Sequence, residues 1–337
     1  MITRLKSALL IIIALIISNT VMSAQELSDD IIVHDPVMIK EADTYYLFCT
    51  GWGISVYSSK VMKNWKKEKP VFAAPPAWAL ETVSGFKGHI WAPDISFYDG
   101  KYYLYYSISA FAKNTSAIGL VVNKTLDPAS SDYQWVDQGL VVQSVPYRDF
   151  WNAIDPNLAI DETGQPWLSF GSFWGGLKLV KLSDDRKSLA QPEEWYSIAK
   201  RQRTDFLDDK DPGDAALEAP FIFKKNGYYY LFASWDYCCR GAESTYKMVV
   251  GRSQKIEGPY LDKSGKSMAE GGGTILLQGN EVYPGVGHNS AYTFDGKDYL
   301  LFHAYDMKDD GKPKLKITEM TWDEEGWPMV ATEALSE

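Results

Sequence analysis

Five segments of the chain follow one plan, and that repetition limits the possible folds more than any other feature. They are "HDPVMIKEADTYYLFCT" from His34, "APDISFYDGKYYLYYS" from Ala92, "IDPNLAIDETGQPWLSFGS" from Ile154, "EAPFIFKKNGYYYLFAS" from Glu218 and "HNSAYTFDGKDYLLFHAY" from His288. Each has a polar leader, a short β-patterned run, a turn, and a second run rich in aromatics. The turns "YDGK", "DETGQ", "KNG" and "FDGK" carry the Gly, Asp and Asn that tight hairpins require. The leaders Asp35, Asp94, Asp155, Glu218 and His288 are separated by 59, 61, 63 and 70 residues. A second strand–turn–strand unit follows three of these hairpins, in "VYSSKVMKNWKKEKPVF", "VVNKTLDPASSDYQWVDQGLV" and "VVGRSQKIEGPYLD". Hairpin plus unit makes a four-stranded sheet of about 60 residues, and five such sheets predict an all-β, five-bladed β-propeller. No stretch has sustained helical periodicity. The polar "RQRTDFLDDKDPGDAAL" reads as a long loop leading into Glu218.

A propeller turns this repeat into chemistry. Innermost strands line a central channel and start at one face of the disc, so the five leaders are expected to converge there. A leader can also cap a turn or bond loop backbone, and for Asp94 that plainer role, holding its strand end, is favoured. Several acids in one place need a further reason, because clustered carboxylates repel and a buried charge is costly unless paired.

The first 24 residues place Arg4 and Lys6 before an apolar run, Ala8 to Ile17, and end in the small residues of "VMSA". This is the pattern of a secretory signal peptide. The run is short for a membrane span of about 20 residues, and no Cys follows it to carry a lipid. The expected mature chain, residues 25–337, is one propeller domain, secreted or periplasmic, without a membrane partner after processing and monomeric. Removing residues 1–24 takes away two bases and no acid, so the net charge moves from −10 to −12. That acidity argues against nucleic acid as a partner. Aromatics make up 14% of the chain, with 12 Trp and 21 Tyr; they suit sheet interiors and sugar-binding faces alike. Three cysteines, Cys49, Cys238 and Cys239, make no disulfide scaffold. A bridge between the adjacent pair and a bridge from Cys49 to either one both stay open. No Cys/His spacing resembles a zinc site.

Two carboxyl groups across a pocket are the minimum equipment for glycosidic cleavage: one protonated, to donate to the leaving oxygen, and one ionised, to activate water or attack carbon. A third nearby acid can raise the donor's pKa and orient it. The longer reach of Glu218 suits proton donation.

The motifs "HDPVMI", "WAPDISFYDGKYYLYYS", "NAIDPNL", "EAPFI" and "GHNS" resemble those of glycoside hydrolase family 43. "SAFAKNTSAIGL", "GSFWGGLKL", "SWDYCCRG" and "GRSQKIEGPY" are similar to its endo-α-1,5-L-arabinanase branch, and the resemblance spans essentially the whole mature chain. It implies a five-bladed propeller that cleaves internal bonds of arabinan, or of arabino-oligosaccharides, with inversion. Carried over by motif, Asp35 of "HDP" is the general base, Glu218 of "EAP" the general acid, and Asp155 of "IDP" the group that tunes the acid and orients substrate. Inversion implies working carboxyls roughly 6.5–9.5 Å apart. Trp91, Phe111, Asn152, Ala153, Ile154, Ser172, Phe173 and Trp174 match substrate-contacting stretches, with interblade packing an equal alternative for Trp174. His288 matches a residue facing a calcium-type ion with a mostly water shell, although calcium prefers oxygen. His34 and His89 are expected to be structural or peripheral. Alternatives within the family are an exo-acting arabinofuranosidase and a β-xylosidase; outside it, a non-catalytic sugar-binding propeller. Fructan-cleaving propellers carry "RDP" and "EC" where this chain has "IDP" and "EAP".

Overall fold

The computed structural model describes residues 27–336 and has five antiparallel sheets arranged as the blades of a propeller. Each blade is built from one contiguous piece of chain, except that Gly51–Trp52, from the first blade's stretch, pairs with His89–Ile90 at the edge of the second. The innermost strands are Val37–Glu41, His89–Tyr98, Asn157–Ile160, Leu217–Lys225 and Val286–Phe294. Their hairpin partners are Thr44–Cys49, Lys101–Ile108, Pro166–Phe170, Tyr228–Trp235 and Lys297–Asp306. The "DG" and "NG" turns behave as the sequence predicts. Asp99–Gly100, Asn226–Gly227 and Asp295–Gly296 all have positive φ, the type I′ geometry that matches strand twist. The five-residue loop of the third blade is held by Asp161, which accepts from the amides of Thr163 and Gln165 and from the indole of Trp167.

The aromatic second strands bury both faces. In a strand, alternate side chains point to opposite sides. Tyr46 and Phe48 therefore enter the apolar wedge between the first two blades, and Tyr45, Leu47 and Cys49 the wedge between the fifth and first. Tyr102, Leu104 and Tyr106 face back to the first blade, whereas Tyr103 and Tyr105 face the third. Five separate clusters result, one for each blade junction. Ring closure adds a backbone bond from Val33 N–H to Pro313 C=O and the buried Lys314, which pairs with Asp30 and Asp309.

Two expectations need correction, and one open alternative is decided. The fourth blade's outer strand is Thr274–Gln278, not the "YLD" stretch, where Leu261 makes only isolated bridges to Arg252 and Ser267. A six-residue helix, Ala77–Thr82, interrupts the all-β pattern between the first two blades; it is too short for helical periodicity to register. Cys238 and Cys239 are bonded to each other, and Cys49 is free and buried. Burial pushes the Cys49 thiol up to about 12, so it packs as a small hydrophobe. Residues 201–216 form the loop the sequence predicts, with no strand or helix.

Inner strands are stitched to one another near the axis. Asp94 accepts from the Asn157 amide at 3.3 Å and from Leu158 N–H at 2.8 Å, and Asn157 Oδ1 accepts from Ile222 N–H at 2.8 Å. Asp94 thus has the strand-holding role. Burial pushes its carboxyl up to about 7, against the two hydrogen bonds. A folded-state value above the unfolded one near 3.8 contributes stability at low pH that is lost as pH rises through the folded value. The Asp94→Asn variant is therefore expected to remove a slope of about 1.4 kcal/mol per pH unit between roughly pH 4 and 7. Urea titrations of both proteins across that range test this; parallel stability curves would refute it.

Candidate active site

Every inner strand starts, and every second strand ends, at the same face of the disc, and the entry to each inner strand has one geometry. One residue near the head of each inner strand sits in the left-handed region: Asp35, Ala92, Asp155, Ala219 and His288, with φ of 57, 37, 59, 56 and 49°. Four are followed by Pro, and the fifth, His288, lies in a bulge that re-aims its strand. The leaders named from sequence are therefore not strictly equivalent. Asp94 lies two residues beyond Ala92, and Glu218 lies one before Ala219.

The N–H of each left-handed residue is caught by the neighbouring blade. Ala92 N–H donates to Thr50 Oγ1, Asp155 N–H to Ser107 Oγ, His288 N–H to Ser234 Oγ and Asp35 N–H to His303 Nδ1. These acceptors all lie at the ends of second strands. In the third blade that position is Gly171, where a Cβ would come within 2.9 Å of the Gly176 carbonyl. No side chain fits, and Ala219 N–H instead donates to Asp155 Oδ2 at 3.1 Å. Asp155 is thereby tied to the residue next to Glu218.

Asp35, Asp155 and Glu218 are buried at 5%, 6% and 8% exposure, yet their surroundings differ. Asp35 faces two imidazole nitrogens and a threonine hydroxyl. Oδ1 lies 2.7 Å from His34 Nδ1 and 2.9 Å from His288 Nδ1. Oδ2 accepts from the Thr50 hydroxyl, which in turn accepts from the Ala92 N–H. Burial pushes Asp35 up, but the charge and hydrogen bonds of His288 and His34 outweigh it and hold the carboxyl well below its usual range. Asp155 goes the other way: burial first, then the Glu218 and Asp35 carboxylates, push it up to about 8 against His288 and the Ala219 amide. Glu218 bonds only hydroxyls, Ser172 at Oε2 and Tyr246 at Oε1, both at 2.8 Å. His288 loses by burial but is raised to about 9 by Asp35, Asp155 and Glu218.

The aromatic rim comes from loops at this face. Trp52 (68% exposed) packs edge-on against His89, and the half-buried Trp91 donates to His89 Nδ1. Phe111 is 75% exposed on the second blade's loop, and Phe173 packs against Tyr237. Asn152, Ala153 and Ile154 are buried and serve as the floor that carries Asp155. Trp174 is buried, and its indole donates to the Asp209 carbonyl at 2.8 Å, so it anchors the 201–216 loop. His34 is not peripheral, since it bonds Asp35 directly. Sequence reasoning misses four residues of the site: Thr50, Tyr246, His303 and Tyr305. Thr50 and His303 could have been found from their place at the ends of second strands; Tyr246 and Tyr305 carry no signal among so many tyrosines.

Among the described residues, His34, Asp35 and His303 form a group close enough to hold a metal. Three of its four ring nitrogens have partners, His34 Nδ1 and Nε2 in Asp35 and Tyr305 and His303 Nδ1 in the Asp35 N–H, whereas His303 Nε2 is buried without one. We read it as a hydrogen-bonded brace. His288 differs. Its Nδ1 meets Asp35, but its Nε2 makes no hydrogen bond to the described residues.

The family model for Glycosyl hydrolases family 43 matches residues 31–328. The chain belongs to that family. It is therefore a glycoside hydrolase, as the sequence implied. It is 59% identical, over 88% of its length and 86% of the relative's, to a Cellvibrio japonicus protein named extracellular exo-α-(1→5)-L-arabinofuranosidase ArbA. It is 46% identical, over 88% and 87%, to the extracellular endo-α-(1→5)-L-arabinanase 1 of Bacillus subtilis. Among solved structures it is similar to a Cellvibrio cellulosa α-L-arabinanase complexed with arabinohexaose, at TM-score 0.90 and 57% identity over 91% of this chain and 98% of that one.

The Trp174→Phe variant keeps the ring but loses the N–H to Asp209. It is expected to cost about 1 kcal/mol and to speed limited proteolysis within residues 201–216. Unchanged cleavage there would refute the anchoring role.

Proposed function

We propose that this family 43 hydrolase cleaves α-1,5-linked arabinan inside the chain, with inversion, and acts outside the cytoplasm. The observation that carries the catalytic part is the contrast in partners around the acids. Asp35 is faced by two imidazole nitrogens and by a threonine hydroxyl that donates to it, and the charge of His288 and His34 holds it low, which favours the ionised carboxylate of a general base. Glu218 is bonded by two hydroxyls, each able to donate or accept. It can lose and regain a proton without losing a partner, as a general acid must in every turnover. Asp155, raised by burial and by its acidic neighbours, keeps a proton in the same pocket and orients the strand entry beside Glu218. Groups whose surroundings push their protonation apart mark acid and base roles.

In the reaction, a water held by Asp35 attacks the anomeric carbon from one face of the sugar, and Asp35 takes its proton. The bond to the leaving oxygen breaks, and the Glu218 proton goes to that oxygen. Asp155 holds the geometry between them. A non-catalytic sugar-binding role has no use for so marked a contrast.

Arabinan as substrate and the extracellular setting are supported by the names of both relatives and by the arabinohexaose complex of the Cellvibrio cellulosa protein. Export would use residues 1–24, which lie outside the described residues. Internal cleavage is supported by aromatic rings spread over several loops, the exposed Trp52 and Phe111 and the packed pair Phe173 and Tyr237, rather than gathered at one point. Exo action is the second reading, favoured by the name of the 59% identical relative. A time course on linear α-1,5-arabinan separates the two: mixed intermediate oligosaccharides appear first for endo, one small product from the start for exo. Glu218→Ala should lower the rate by about 10²–10⁴-fold with the fold intact. Wild-type activity in that variant would remove Glu218 from the acid role, and a product formed with retained anomeric configuration would remove inversion.

The pocket also fits a hydrated hard cation, though not a protein-built calcium cage. His288 would hold it through Nε2, with the Asp35 carboxylate beside Nδ1 supplying negative potential. When bound, the ion supplies positive charge on the axis in place of the His288 proton. A chelator is then expected to lower thermal stability of the wild type, with calcium restoring it, and to leave His288→Ala unaffected. Equal chelator effects on both proteins would place the ion elsewhere.

A further inference from the structure

We propose that the Cys238–Cys239 turn, Tyr305 and His34 form a positioning relay that fixes the direction of the proton offered to Asp35, and that the bond between the two cysteines keeps the relay assembled. The proposal rests on the reading of Asp35 as general base.

Donor counting fixes the first link, and the proposal assigns the direction of the others. Cys239 N–H can only donate, and it points to the Tyr305 hydroxyl at 2.7 Å. The phenol therefore accepts there and has one proton left to give. Burial pushes Tyr305 up, so it stays a phenol. Its proton goes to His34 Nε2, 2.8 Å away. In this assignment that nitrogen is the acceptor of the ring and the ring proton sits on Nδ1, which meets Asp35 Oδ1 at 2.7 Å as an ion-pair contact rather than an aligned hydrogen bond. His34 is also stacked on His303 at 3.9 Å between centroids, and His303 Nδ1 takes the Asp35 N–H. One brace thus orders both the backbone and the carboxylate of Asp35. Without the Cys239 amide, the Tyr305 hydroxyl can rotate, and the imidazole no longer has a fixed tautomer to present.

The turn is anchored at its base and bare at its tip. Thr245 N–H and Ser244 Oγ both donate to the Tyr237 carbonyl, and Asp236 is clamped by Arg201 at 2.6 Å and Lys247 at 2.7 Å. At the tip, Cys239 is exposed and left-handed, with φ of 63°. A non-glycine residue is strained in that conformation. The Cys239 sulfur lies 3.8 Å from His34 Nε2, at the mouth of the site. A dithiol reductant would break the S–S bond by transferring two electrons and two protons, giving two thiols and the oxidised, cyclic form of the reductant. Cys239 can then leave the left-handed region, and its N–H turns away from Tyr305. Cys49 is buried and takes no part.

The test uses the full-length, oxidised enzyme on linear arabinan. Tyr305→Phe is expected to lower kcat about 10- to 100-fold with KM within about twofold. Dithiothreitol should lower wild-type kcat by a similar factor, and reoxidation should restore it. The Cys238→Ser/Cys239→Ser double variant should match the reduced enzyme and ignore dithiothreitol. Reduction of Tyr305→Phe should add nothing, because the relay is already cut. Wild-type kcat in Tyr305→Phe, or an equal further loss on reducing it, would overturn the relay. If circular dichroism shows that Tyr305→Phe does not fold, the cysteine variant decides: wild-type kcat there overturns the proposal. Asp35→Asn separates the two layers. If it keeps activity, the general-base reading fails; if it is inactive while Tyr305→Phe is normal, only the relay fails.

Discussion

The structure depends on one repeated contact: a left-handed residue at the head of each inner strand, with its N–H in four of the five caught by the end of the second strand in the blade before it. A non-glycine residue in that conformation costs about 1–2 kcal/mol, so five of them persist only because the surroundings leave no alternative. The aromatic wedges supply that constraint by fixing neighbouring blades against each other. What the contact gives in return is precision. Asp35 and Asp155 occupy two of the five heads, and their carboxyl groups are positioned by backbone geometry as much as by side-chain rotamers.

From this follows the division of labour among the acids. Equivalent heads would give equivalent carboxyls if the neighbouring strand ends were alike. They are not. The first blade ends in Thr50, whose hydroxyl donates to Asp35, and the fifth in His303, which takes the Asp35 amide. The third ends in Gly171, whose crowded backbone admits no side chain, so Asp155 itself fills the gap. Opposite protonation preferences arise from small differences at one structural position.

The repeat, the hairpin turns and the three acids can be read from the sequence because each is a local signal: "DG" and "NG" dictate a turn without help, and the alternating aromatics reveal strands buried on both faces. Identifying the loop at 201–216 needs only its lack of pattern. What cannot be read is geometry between blades. Asp94 and Glu218 look equivalent to Asp35 because a spacing near 60 residues hides shifts of one or two positions, and a bulge makes such a shift decisive. His34 looks peripheral because its partners, Asp35 aside, are Tyr305 and Cys239, far along the chain. The fourth blade's outer strand is misplaced because "GPYLD" has strand composition yet is held by isolated bridges while the chain runs on to Thr274. Cysteine pairing stays open for the same reason: sequence adjacency says nothing about whether Cys49 points into a wedge or toward the mouth.

The axis is also where the fold gives up stability. Asn289 and His303 bury polar atoms that meet no protein partner, and Asp94, Asp155 and His288 are titratable groups held away from water. Each would be better replaced by an apolar residue if stability alone were at stake, since an unpaired buried polar group costs about 1–3 kcal/mol. In a sandwich, such a seam would run through the single core. Here the five apolar clusters sit between blades, away from the channel, so the axis can stay polar without opening a core. Separating the groups that hold the fold from those that face substrate is what lets a chain this rich in buried acids stay folded.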